Sequence, residues 1–319
     1  MKVLVTGSAG FIGYHVAKAL LAEGHEVVGL DNFNDYYAVS LKEARNAQLL
    51  RRRGYFPVRA DLCDSPTVGN LFRNHRFDVV CHLAAQAGVR YSIEHPFVYQ
   101  RANLEGFLNI LEACRHAAVP RLVYASSSSV YGGNEKLPFS EADPVDHPIS
   151  LYAATKKANE LMAHTYTHLY GLQSVGLRFF TVYGPWGRPD MAMWTFTEAI
   201  LRDRPIQVFN HGNMRRDFTF IEDIVAGVRS ALFAGGLDRY EVLNLGNHRP
   251  EHLMDVIRTL AAALGKEPQM EMLPMQPGDV PATYADIELA RRKLGFTPTT
   301  PIAVGIPKFV AWYREYHGL

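Results

Sequence analysis

An apolar run, Val3-Leu4-Val5, leads straight into Thr6-Gly7-Ser8-Ala9-Gly10-Phe11-Ile12-Gly13, and a helix-forming segment comes directly after. The glycines have Gly-x-x-Gly-x-x-Gly spacing. Lacking side chains, they let the backbone turn tightly and approach a pyrophosphate, while the free amides and dipole of the next helix favour the anion. Strand, glycine turn and helix in this order point to a dinucleotide-binding βα unit. They put Gly7, Gly10, Phe11, Ile12 and Gly13 at a cofactor.

The rest of the first half repeats the strand–helix alternation. Strand-like runs fall at 2–6, 26–30, 55–60, 77–83, 121–126 and 173–179, with helix-length segments at 11–23, 41–53, 65–75, 96–117 and 151–170. The strands Val3-Leu4-Val5, Val79-Val80 and Leu122-Val123 are apolar without polar alternation, as expected of a parallel sheet covered on both faces. The expected fold is therefore α/β, a doubly wound Rossmann sheet, with a smaller C-terminal substrate-binding domain. Pro185, Gly187 and Pro189 break the rhythm after Thr181, and Pro268, Pro274, Pro277 and Pro281 break it again. The segment 218–245 reads as strand, helix and strand returning to the main sheet. This divides the chain into 1–180 plus about 217–246 for the dinucleotide, and about 181–216 plus 247–319 for substrate.

Asp31 ends the second strand, where an acid can bind the adenosine ribose; its charge repels the extra phosphate of NADP, so NAD is the expected cofactor. Asn32 adjoins it. Asp61 and Leu62 come after the third strand and are placed to meet the adenine. Ala84, Ala85 and Gln86 come after the fourth and offer small residues where the dinucleotide passes closely.

Tyr152 and Lys156 are four apart on a predicted helix and share one face. A phenol titrates near ~10 when unperturbed, too high for a base at neutral pH. A neighbouring ammonium and a positive nicotinamide favour the phenolate. Ser126-Ser127-Ser128-Ser129 lies at the C-terminal end of the fifth strand, the edge where ligands gather in open α/β sheets. Ser127, Tyr152 and Lys156 thus form a proton-transfer set for a carbinol.

Thr6 to Gly13, Ser127, Tyr152 and Lys156 together resemble the extended short-chain dehydrogenase/reductase family over nearly the whole chain. The stretches 178–185 and 215–218 resemble those where its nucleotide-sugar members bind substrate. Asp31-Asn32-Phe33-Asn34-Asp35-Tyr36-Tyr37, Gly88-Val89-Arg90-Tyr91-Ser92 and Gln276-Pro277-Gly278-Asp279-Val280 look most like UDP-glucuronate 4-epimerases. The resemblance implies NAD-dependent epimerisation of UDP-glucuronate to UDP-galacturonate through a transient 4-keto sugar. Tyr152 would move the proton, Ser127 would bind the 4-oxygen, and Lys156 would also hold the nicotinamide ribose. Arg188 and Arg216 are expected to anchor the nucleotide, with Arg216 on the pyrophosphate. Arg90, Gln207, Phe209 and Asp279 complete the expected UDP-sugar contacts. Related epimerases of neutral sugars carry an arginine where Gln276 stands.

A 4-keto glucuronate is a β-keto acid and loses carbon dioxide readily. Related decarboxylases and dehydratases carry acidic residues just after the catalytic serine or threonine; this chain has Ser128 and Ser129. Ser127, Ser128, Ser129 and Thr181 are expected to cradle the C6 carboxylate without supplying an acid. The alternatives left open are a UDP-glucose/galactose 4-epimerase, a UDP-glucuronate decarboxylase, and an inactive NAD-binding sensor or scaffold.

With 33 basic and 32 acidic residues, no global field draws in nucleic acid or a membrane. Arg51-Arg52-Arg53 reads as a solvated helix end. Cys63, Cys81 and Cys114 show neither zinc nor disulfide spacing, and the chain opens on a strand, which together lead to a cytoplasmic expectation. His164 and His168 have ligand spacing but no third partner nearby, so no metal is expected. Tyr91, Tyr131 and Trp194 suit either pocket or core. The helices 96–117 and 151–170 are expected to form a homodimer face, as the resemblance implies.

Overall fold

The computed structural model describes residues 1–276 and 279–319. Seven parallel strands form the main sheet, in the order Tyr240–Leu245, Gln173–Phe179, Arg121–Ser127, Val79–His82, Lys2–Thr6, Glu26–Asp31, Tyr55–Arg59. The order reverses between Lys2–Thr6 and Val79–His82, which opens a crevice at the C-terminal edge. Along the first strand Val3 and Val5 enter one apolar cluster and Leu4 the other, all fully buried. Both faces are covered, and this is why the strand sequences lack polar alternation.

Helices Phe11–Ala22, Val39–Leu50, Ser65–Asn74 and Leu151–Tyr170 lie within a few residues of their sequence expectations. Ser150 caps the last of these, its Oγ accepting from Ala153 N at 3.1 Å, and Gly171 ends it in the left-handed region at φ 73°. The capped turn fixes where Tyr152 emerges. The expected helix 96–117 differs. It is interrupted by a π-helical turn at Gln100–Glu105, between α-helical Pro96–Tyr99 and Gly106–His116.

A second sheet is built around Arg215–Phe220, which pairs with Thr181–Tyr183, Pro250–His252 and Ala282–Thr283. Tyr240–Leu245 does return to the main sheet, beside Gln173–Phe179. The strand at 218 does not, and this corrects the expectation for 217–220. Phe218 to Phe220 pair in parallel with Thr181 to Tyr183, so the return begins at helix Ile221–Phe233. Among the described residues no helix is long and apolar enough to cross a membrane.

Candidate active site

Two cavities open along the C-terminal edge of the main sheet and share a wall. The first, about 490 Å³, is lined by Gly7, Gly10 to Gly13, Asp31, Asn32, Asp61, Leu62 and Ala84 to Gln86. Gly7 has φ +71°, and a Cβ there would stand 2.9 Å from Ala84 N; one on Gly13 would collide with Gly7 O. Among the described residues no side chain caps helix Phe11–Ala22, so its N-terminal amides stay open to an anion. These features fit the pyrophosphate of a dinucleotide. Asp31 is buried and accepts from Ala9 N at 3.1 Å and Phe33 N at 2.8 Å, which ties the glycine turn to the second strand. Asn32 Nδ2 donates to Asp61 at 3.1 Å. Thr6 Oγ1 accepts from Ala84 N at 3.1 Å, and Asn103 Oδ1 accepts from Gln86 N at 2.8 Å, fixing the close-passage segment.

Tyr152, Ser127 and Arg188 line both cavities. Burial raises the Tyr152 phenol above its ordinary value, and the neighbouring Ser127 hydroxyl and the charge of Arg188 offset only part of that rise. Lys156 is buried, and burial lowers its amine to about 8; Nζ donates to Ala125 O at 3.0 Å. The lysine is thus fixed to the strand that carries Ser127, and the cation whose charge acts on the phenol is Arg188. The Ser127 hydroxyl donates to Ser129 Oγ at 3.0 Å and accepts from Ser129 N at 3.2 Å.

The second cavity, about 960 Å³, holds Ser128, Ser129, Thr181, Arg90, Gln207, Phe209, Arg216 and Asp279 on its walls. Arg90 donates to Asp279 at 3.2 Å and lies 5.0 Å from the Phe209 ring centre. Arg216 feels the charges of Asp279 and Arg90. Arg188 belongs to a different group: its charge is coupled to Asp190, Tyr36 and Tyr152. The two expected nucleotide anchors therefore stand in separate clusters, Arg216 at the far end and Arg188 at the reacting end. Of the stretch 276–280, Pro277 and Gly278 lie outside the described residues. Tyr91 lines the second cavity. Tyr131 and Trp194 are core, and Arg178 is buried in an ion pair with Glu160 rather than facing a ligand.

Residues 3–246 match the NAD dependent epimerase/dehydratase family. The chain belongs to that family. It is 52% identical over 333 residues to UDP-glucuronate 4-epimerase 4 of Arabidopsis thaliana, covering 99% of this chain and 76% of the relative. It is 47% identical over 332 residues to a probable UDP-glucuronate 4-epimerase of Rhizobium meliloti, covering 99% and 97%. The solved UDP-glucuronic acid 4-epimerase from Bacillus cereus, in complex with UDP-glucuronic acid and NAD, matches with TM-score 0.93 and 34% identity, covering 99% of this chain and 100% of that one.

In this epimerase/dehydratase chain several residues shape the site that sequence reasoning did not single out. Arg45 is fully buried and donates to Ala9 O at 3.0 Å, Trp186 O at 2.7 Å and Gly187 O at 3.1 Å, joining the glycine turn to the segment before Arg188. His15, lowered by burial to about 4 and so neutral at ordinary pH, donates to Pro185 O at 2.9 Å. Asn103, in the π-helical turn, joins Gln86 to Thr155 of the Tyr152 helix at 3.0 Å. Tyr36 and Asp190 flank Arg188. Tyr36 falls in the stretch 31–37 that carries the resemblance, but no motif marks the others; for Asn103, a π-helical turn beside a site is the general signal.

Proposed function

We propose that the protein converts UDP-glucuronate to UDP-galacturonate as an NAD-dependent 4-epimerase. The observation that carries this reading is the meeting of the dinucleotide cavity and the larger cavity at one phenol, Tyr152, beside Ser127. NAD, held by the glycine turn, Asp31 and Lys156, supplies a reversible acceptor for the C4 hydrogen. Tyr152 takes the proton of the 4-hydroxyl, which leaves a 4-keto sugar, and returns it after the sugar has presented its other face. Ser127 hydrogen-bonds the 4-oxygen throughout. Arg216 holds the pyrophosphate, with Arg90, Asp279, Gln207 and Phe209 around the uridine end, so the sugar turns while the nucleotide stays put.

The hydroxyls of Ser128, Ser129 and Thr181 face the C6 carboxylate as donors and supply no carboxylic acid. Arg188, beside Tyr152, adds a counter-charge at the same end. The hexuronate carboxylate gives these hydroxyls an acceptor that a neutral hexose lacks, so the hexuronate is the better fit. The NAD part of the molecule is 1–180 with the return from 221 to about 246; the remainder serves the UDP-sugar. A homodimer forms through 96–117 and 151–170, which present Phe97, Leu108, Leu161 and Leu169 to solvent. The cytoplasm suits its three unpaired thiols.

Incubation with UDP-glucuronate and no added NAD, with the products read by proton NMR, tests the reading. UDP-galacturonate is expected. A UDP-pentose with carbon dioxide would assign a decarboxylase instead, and absence of turnover would favour a binding protein.

A further inference from the structure

Arg188 comes after a turn pinned from beneath by His15 and Arg45, which hold the carbonyls of Pro185, Trp186 and Gly187. Those bonds fix the backbone and leave a long, rotatable side chain. What fixes that side chain is Asp190. Nε donates to Oδ1 at 2.9 Å and Nη2 donates to Oδ2, so two nitrogens of the planar fork are engaged. The same Oδ2 accepts from the Tyr36 hydroxyl at 3.1 Å. Tyr36 lies after the second strand, in the segment that begins at Asp31, and lines both cavities. The carboxylate of Asp190 is therefore the junction between the cofactor wall and the guanidinium at the reacting end.

We propose that Asp190 is a positioning residue, which holds the Arg188 guanidinium beside the Tyr152 phenol and, through the Tyr36 hydroxyl, ties it to the cofactor wall. This rests on Tyr152 being the proton-transfer group. The groups that face Tyr152 are few. Ser127 approaches from the end of its strand. Tyr99 presents its ring edge-on, 6.1 Å between centres. Lys156, on the same helix, is turned to Ala125 O. The short helix Tyr91–Glu94, which also packs on the Tyr152 helix, contributes Tyr91 and Glu94 to the same cavity. Among the described residues Arg188 is the charge that acts on the phenol, and it opposes the rise that burial causes. Its side chain is partly open to the cavity, with 23% of its surface exposed, so direction and distance depend on the anchor rather than on packing. Burial pushes the Asp190 carboxyl up, yet Arg188 and Tyr36 hold it below its usual value, so it is ionised when it does this.

The test is a tyrosinate titration of the NAD-loaded enzyme by ultraviolet absorbance, taking in each background the difference from the same protein carrying Tyr152→Phe. Asp190→Ala and Asp190→Asn both remove the carboxylate charge, and only Asp190→Asn keeps an acceptor for the guanidinium. The Tyr152 midpoint is expected to lie roughly one pH unit higher in Asp190→Ala than in Asp190→Asn. In the Arg188→Met background, with no guanidinium to hold, the two substitutions are expected to give the same midpoint. Equal midpoints with Arg188 in place overturn the proposal, as does the same difference in the Arg188→Met background. If Asp190→Ala fails to fold, Asp190→Leu, close in shape to asparagine and without an acceptor, takes its place in the comparison with the same outcomes. The titration uses no substrate, so loss of UDP-glucuronate turnover in the wild type would count against the epimerase reading without deciding this one.

Discussion

The two cavities share a tyrosine and are built on different plans. The cofactor cavity takes its residues from the ends of successive parallel strands: Gly7 after the first, Asp31 at the end of the second, Asp61 after the third, Ala84 after the fourth, Ser127 at the end of the fifth. Each lies within a few residues of its strand, and sheet regularity delivers all of them to one edge. The substrate cavity is assembled from segments that share no repeat, at 90, 181, 188, 207, 216 and 279. A regular scaffold converts short local motifs into a site. An irregular one needs long-range hydrogen bonds, such as those of Arg45 and Asp190, to bring its residues together.

The contrast can be broken at the point of overlap. Tyr152→Phe should lower kcat by about 10²–10⁴-fold, the scale of a lost acid–base group, while the purified protein retains its NAD. Loss of NAD alongside activity would mean that the tyrosine serves chiefly the cofactor side. Next in size is a change beneath both cavities. Glu160 and Arg178 form a buried pair, 2.8 Å on each arm, with Ser126 Oγ on the same carboxylate at 2.6 Å. Glu160→Gln leaves the guanidinium without a counter-charge and should cost about 3–5 kcal/mol in urea unfolding. A loss confined to activity would show that the pair tunes the site rather than the fold.

Arg216→Ala sharpens the contrast from the substrate side. It should raise KM for UDP-glucuronate by about 10–100-fold, the scale of a lost charge-assisted contact, with NAD content untouched. The smallest effect is on pH. Burial sets the Lys156 amine at about 8, so it is charged below that pH and loses its charge above it. Activity of the holoenzyme should fall on the alkaline side, with about half of kcat lost at pH 8. This limb should vanish in Lys156→Met, which is slower throughout.

Much of the cofactor half was legible because its signals are short and periodic. An unalternating Val3-Leu4-Val5 announces a covered strand, and Gly7 to Gly13 announces a tight, anion-binding turn into a helix. Tyr152 and Lys156 declare a common helix face by spacing alone. The strand that the sequence begins at 218 joins the second sheet: apolar residues such as Phe218 and Phe220 suit either sheet, pairing with Thr181–Tyr183 decides, and no local pattern encodes it. The π-helical turn at Gln100–Glu105 escaped because one extra residue in a turn barely disturbs helical periodicity. Arg188 was legible as a binding cation but not as a neighbour of Tyr152. Its position depends on Arg45, which is 143 residues earlier in the sequence and meets the preceding turn through carbonyl oxygens that any residue carries.

The proposed epimerisation is a closed exchange, in which the hydrogen that leaves C4 of the sugar comes back to C4 within one site. UDP-glucuronate carrying deuterium at C4, incubated in ordinary water, measures it. UDP-galacturonate should form with the deuterium still on C4. Product in which C4 bears solvent hydrogen would contradict it.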